Sequence, residues 1–237
     1  MRNYNLSFIS NQDLYNHVKD TIHQYRNNIN LNAFNRNLVD PIKLIFDSKA
    51  YGKTMEELIN DESQRQIDKS NSNVIGYFHQ NIFKYIGGND WEVPRQGFDV
   101  INENKKIYVE MKNKHNTMNS SSASATKLKM ENKINEHPDN ICLLVEVIAT
   151  NNQDIAWGTN ERIRRVSIDL FYQIVTNEAN SFYNLVHVLP LVIEDVIEEI
   201  GTLSINNTVI EELSGYGQNT FNSLNSFAFG SYNGFNN

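Results

Sequence analysis

The stretch Gly97-Phe98-Asp99-Val100-Ile101-Asn102-Glu103-Asn104-Lys105-Lys106-Ile107-Tyr108-Val109-Glu110-Met111-Lys112 reads as two extended segments joined by a polar turn. Lys106 to Lys112 is rich in β-formers. Glu110 and Lys112 are two apart on a strand and so share one face, while Val109 and Met111 point the other way, into a core. If the hairpin closes around Asn104-Lys105, Asp99 falls opposite Glu110. Two carboxylates and an ammonium then converge at one sheet position.

Working outward, Ser120 to Glu136 reads as a helix with Leu128, Met130 and Ile134 inward and Pro138 beyond its end. Ile141 to Ala149 is a short apolar run broken only by Glu146, as in a buried central strand. Ser167 caps a helix to about Val175. Ser181 to Ile200 supplies one or two more, with Pro190 as a break and His187 as a core or interface residue. Upstream, Leu14, Val18, Ile22 and Tyr25 recur at helical spacing, Asp40-Pro41 opens a second helix, and Thr54-Met55-Glu56-Glu57 is a capping box that starts a third. A further helix is expected over about Asn73 to Ile86, stopped by Gly87-Gly88. The order predicts an α/β fold: a mixed central sheet with an antiparallel hairpin and a crossover helix. We expect one domain over 1–237, with a helical N-terminal part (1–70), a core (71–200) and a Gly-, Asn- and aromatic-rich tail (214–237).

The chain has 237 residues, 40% of them hydrophobic, which is a globular composition with enough apolar mass for a sizeable core. Its 21 basic and 28 acidic residues leave a charge of −7, so a global basic footprint is absent. Lys105 to Lys133 nevertheless holds seven lysines against two glutamates, a local surplus that can engage phosphates. The single Cys142 excludes an internal disulfide and a cysteine-based zinc cluster. There is neither a signal peptide pattern at the start nor a membrane-spanning run, so a cytoplasmic protein is expected. P-loop, dinucleotide-binding and nucleophile-elbow motifs are missing, which removes NTPase, dehydrogenase and α/β-hydrolase readings.

Two close carboxylates repel and are costly to desolvate, and a hard divalent cation such as Mg2+ relieves both problems. Such an ion polarises a phosphoryl oxygen, and a nearby lysine can orient the attacking water. The chemistry pointed to is phosphodiester hydrolysis. The bland alternative is a solvated face on an ordinary hairpin.

The triad Asp99, Glu110, Lys112 on this architecture resembles the PD-(D/E)xK nuclease superfamily, although Phe98 stands where the superfamily pattern has proline. More specifically, Ile75-Gly76-Tyr77-Phe78-His79-Gln80, Glu92-Val93-Pro94-Arg95-Gln96-Gly97-Phe98-Asp99, Tyr108 to Ser122 and Val166 to Thr176 are similar to one type II restriction endonuclease family that cuts GGNCC or GGWCC sites. The resemblance implies a restriction-endonuclease-like core and a magnesium-dependent homodimer that cuts both strands of double-stranded DNA, paired with a separate cognate DNA methyltransferase. It makes Asp99 and Glu110 metal ligands, with the main-chain carbonyl of Met111 as a further donor, and Lys112 the residue that positions water. Gln80 is a possible accessory group. A repair or structure-selective nuclease on the same core, or a DNA-binding protein without catalysis, stays open.

For holding DNA, the loop after the catalytic strand offers Lys114, His115, Asn116, Asn119, Ser120, Ser121 and Ser122, dense in short hydrogen-bonding groups. Lys127 belongs to the lysine surplus. Arg162, Arg164 and Arg165, in an expected polar connection, are candidates to read guanine or clamp phosphate, and Arg95 to reach a phosphate.

Overall fold

A computed structural model of the chain describes residues 2–37, 39–115, 118–216 and 219–233. In chain order its elements are α1 (Asn11–His23), β1 (Asn28–Ile29), α2 (Leu31–Asn35), α3 (Pro41–Tyr51), α4 (Met55–Asn81), β2 (Val100–Asn102), β3 (Ile107–Lys114), α5 (Ser120–Glu136), β4 (Ile141–Ile148), β5 (Asp154–Ala156), β6 (Ile163–Ser167), α6 (Ile168–Thr176), α7 (Ser181–Ile200), β7 (Asn206–Asn207), α8 (Val209–Ser214) and α9 (Thr220–Phe229). The chain groups into two compact units: residues 1–23 with 74–201, and 24–73 with 202–237.

The first unit is built on a five-stranded mixed sheet in the order β2-β3-β4-β6-β5. β2 runs antiparallel to β3, β4 runs parallel to both β3 and β6, and β5 closes the edge antiparallel to β6. The crossover from β3 to β4 is α5, as a parallel pair requires. One sheet face, with Val100, Val109, Leu143, Val145 and Val166, packs on α1, α6, α7 and the end of α4. The opposite face, with Tyr108, Cys142, Leu144 and Ile163, packs on Met130 and Ile134 of α5. This is the α/β core that the hairpin and crossover predicted.

The second unit gathers α2, α3, the start of α4, α8 and α9 around Phe34, Leu44, Ile59, Ile67, Leu213 and Leu224. Here β1 and β7 form a short parallel pair. The Asp40 carboxylate caps α3 by accepting from Ile42 N at 2.9 Å, with Pro41 in the first turn. The Thr54 and Glu57 side chains exchange hydrogen bonds with each other's backbone N–H, as a capping box does.

Several local expectations change. The third and fourth helices are one, α4, because no Gly or Pro interrupts residues 55–75. It stops at Asn81, and residues 82–84 tighten into a 3-10 turn. Pro190 lies inside a continuous α7, since Leu185, Val192 and Val196 bury one stripe on both sides of it and outweigh the lost backbone bond. His187 is exposed on α7 instead of core, its Nδ1 2.8 Å from the Tyr183 carbonyl. Leu128 is exposed, because the buried stripe of α5 follows Met130 and Ile134. The tail is partly the helix α9, capped by Asn219; Leu224 is buried, Phe227 and Tyr232 are exposed, and Phe235 lies outside the described residues. Arg162, Arg164 and Arg165 lie at and within β6, not in a connection. Cys142 is buried, as expected, and burial pushes its thiol up to about 12.

Among the described residues, no helix is long and apolar enough to cross a membrane.

Candidate active site

The hairpin register pairs Val100 with Val109, so Asp99, one residue before β2, stands opposite Glu110. Asp99 N donates to the Val109 carbonyl at 2.8 Å, and Met111 N donates to the Asp99 carboxylate at 2.7 Å. A residue's N–H and C=O leave an extended strand on the same edge, so the Met111 carbonyl also points to the Asp99 side. Gln80, near the end of α4, donates to the Asp99 main-chain carbonyl at 3.1 Å. It braces the start of the hairpin through backbone, not through the carboxylate.

Glu110 is only 8% exposed. Burial raises its carboxyl above the ordinary range, and the charge of Asp99 adds to that, while Lys129 and Lys112 pull it back down. Lys112 Nζ lies 3.9 Å from Glu110. Lys129, on α5, is closer: its ammonium is in direct contact with the Glu110 carboxylate, 2.7 Å from the Gly97 carbonyl and over the Phe98 ring. The sequence places Lys129 only within the lysine surplus that can engage phosphates. The available signal was its place beside Met130, four residues before Lys133, on the buried side of α5; Lys133 likewise lies over the Tyr108 ring.

A divalent metal fits these donors. An ammonium already sits among oxygens of Glu110 and Gly97, which marks the spot as one that takes a cation. Two carboxylates and a main-chain carbonyl suit a hard, oxygen-preferring ion. Among the described residues, no group of three His, Cys, Asp or Glu side chains could hold a metal, so any further donors come from backbone, water or substrate.

The other sequence candidates are spread around this centre. Lys114 and His115 lie at the end of β3; Asn116 lies outside the described residues. Asn119 caps α5 by accepting from Ser122 N at 2.8 Å, and Ser120, Ser121 and Ser122 form its exposed first turn. Lys127 Nζ stands 4.9 Å from the centre of the Trp157 ring. Arg95 is exposed. Arg162 donates to the Pro138 carbonyl, and Arg164 is paired with Asp154 at the sheet edge. Arg165 is on the α5 face of the sheet, as are Glu110 and Lys112, with its guanidinium 5.7 Å from the Trp157 ring centre.

Sequence reasoning missed Glu146. It interrupts an apolar strand yet is 1% exposed, lies in register with Lys112, and contacts Arg165 and His115. A charged residue inside such a run was the signal.

The family model for the Eco47II restriction endonuclease matches residues 6–198. The chain is 29% identical over 217 residues to the type II restriction enzyme Sau96I of Staphylococcus aureus, covering 84% of this chain and 83% of that protein. It is 26% identical over 216 residues to the type II restriction enzyme Eco47II of Escherichia coli, covering 82% and 89%.

Proposed function

This chain belongs to the Eco47II restriction endonuclease family and is a type II restriction endonuclease, a site-specific deoxyribonuclease, and from that premise we propose how and where it cuts. The substrate is double-stranded DNA carrying GGNCC or GGWCC sites, cut in both strands with Mg2+ by a homodimer, while a separate methyltransferase protects the host's own sites. What supports the catalytic assignment is the meeting of Asp99 and Glu110 across the hairpin with Lys112 on the same face.

In this reading Asp99, Glu110 and the Met111 carbonyl hold the ion. When bound, the ion supplies Lewis-acid polarisation of the scissile phosphate. Lys112 hydrogen-bonds the attacking water and stabilises the growing negative charge. The Met111 N–H fixes the Asp99 carboxylate, and Gln80 fixes the backbone that carries it. Lys129 neutralises the Glu110 carboxylate, and a bound ion would need the same oxygens. Lys114, Asn119, the serines 120–122, Lys127 and Arg95 form the DNA-facing rim. Arg162 and Arg164 join it only by leaving the partners they now have.

The test is digestion of unmethylated plasmid and phage DNA with and without Mg2+, beside Glu110→Ala. Discrete, metal-dependent fragments that map to GGNCC or GGWCC and vanish in the variant are expected, and the fragment map decides the central base. Cutting that survives Glu110→Ala, or fragments mapping to another sequence, overturns the corresponding part.

A further inference from the structure

Glu146 stands at the carboxyl end of β4 with its carboxylate almost wholly removed from water. Burying that charge is expensive unless it is paired. Its partners are unusual for a purely structural contact. Arg165 Nε lies 3.3 Å from one carboxylate oxygen, His115 Nδ1 3.3 Å away, and Gln153 Nε2 3.4 Å away. Arg165 Nε makes this approach without hydrogen-bonding alignment. Among the described residues, no hydrogen bond engages its Nη groups. A guanidinium with its Nε beside a carboxylate keeps its Nη groups for another acceptor, and an imidazole with Nδ1 beside the same carboxylate keeps Nε2. The Trp157 ring, with Lys127 also over it, supports the guanidinium from the side.

The position matters as much as the pairing. Glu146 is in register with Lys112, and Arg165 follows one strand further on, on the face that carries Glu110. Adjacent strands are about 4.8 Å apart, so Arg165 stands roughly 10 Å from Glu110 along the sheet. A scissile phosphate set beside Lys112 therefore leaves Arg165 free for a different phosphate of the same duplex.

We propose that Glu146 is a positioning residue that presents Arg165, with His115 beside it, to a DNA backbone phosphate neighbouring the scissile one. The proposal rests on the catalytic centre assigned above and adds a second phosphate subsite to it. Arg165 makes the contact; Glu146 acts only by orienting it. The buried charge, costly by itself, is thereby retained for geometry.

The experiment is a double-mutant cycle in DNA binding, followed by fluorescence anisotropy of a duplex with one GGNCC site, in metal-free buffer where no cutting intervenes. Affinity is measured across salt concentrations for the full chain, Arg165→Met, Glu146→Gln and the double variant, with a melting curve for each. Arg165→Met is expected to weaken binding about tenfold and to lower the salt slope by about one, the signature of one lost phosphate contact. Glu146→Gln is expected to reproduce most of that loss, and the double variant to bind no worse than Arg165→Met alone. Arg165→Lys is expected to keep the slope at reduced affinity, as a charge without the fork does. An unchanged slope in Arg165→Met overturns the phosphate contact. Losses that add in full, or a Glu146→Gln protein that melts lower yet binds DNA normally, overturn the positioning role. Because binding is read without metal, it stays separate from the catalytic reading, which fails only if Glu110→Ala still cuts.

Discussion

The Lys129 ammonium rests against the Glu110 carboxylate, joining α5 to β3 through an ion pair that is largely shielded from water on the glutamate side. A tethered cation occupies oxygens that the proposed divalent ion would use, so the two are expected to compete. Lys129→Met leaves a buried carboxylate without its nearest partner and is expected to cost about 1–2 kcal/mol in metal-free buffer. Scanning fluorimetry checks this: the variant melts lower than the parent with EDTA, and added Mg2+ raises its melting point by more than the parent's.

Lys112 stands on the strand but outside that close pair, 3.9 Å from Glu110. Its proposed work is on the water and the developing charge, not on holding DNA. Lys112→Ala is therefore expected to slow single-turnover cutting by roughly 10²–10⁴-fold. Metal-free DNA affinity measured beside it should fall by much less.

His79 lies on α4 next to Gln80, and its Nδ1 is buried without a hydrogen-bond partner among the described residues. Burial, with a smaller contribution from His17, lowers its pKa from 6.5 to about 4. The sign follows: between pH 6.5 and about 4 the unfolded chain takes up a proton that the folded chain refuses. Stability from this group is complete above 6.5 and is lost as pH falls through that window. Urea midpoints of the parent are expected to drop faster from pH 7 to 4.5 than those of His79→Gln. Parallel curves would remove His79 as a source of acid sensitivity.

Gly87 follows the 3-10 turn with φ +78°, and a Cβ there would meet Trp91 Cδ1 and Val175 Cγ1, each at 2.5 Å. The left-handed backbone and the close approach both demand glycine. Gly87→Ala is expected to cost about 2–4 kcal/mol, read from urea denaturation. Gly88→Ala is a useful comparison, since a Cβ at that glycine has open space and only the backbone strain applies.

The sequence by itself determined what is local. Asp99, Glu110 and Lys112 were legible because a period of two on a β-rich run assigns faces without further information, and a four-residue turn fixes the register of a hairpin. Helix starts at Asp40 and Thr54 lie in side chains that reach only two or three residues along the chain. What only the tertiary structure decided are the meetings between distant segments: Lys129 on Glu110, and Arg165 and His115 on Glu146. β3 and β4 are joined through a helix, so no turn sets which residue of one faces which residue of the other; packing of both sheet faces does. The same physics hid β6, whose Arg164 and Arg165 read as a polar connection until the strands on either side, with Asp154 on β5 and Glu146 on β4, gave the arginines partners. A charge inside an apolar run, as at Glu146, shows from sequence that something must pay for its burial, but which cation does so is settled only when the strands are laid side by side.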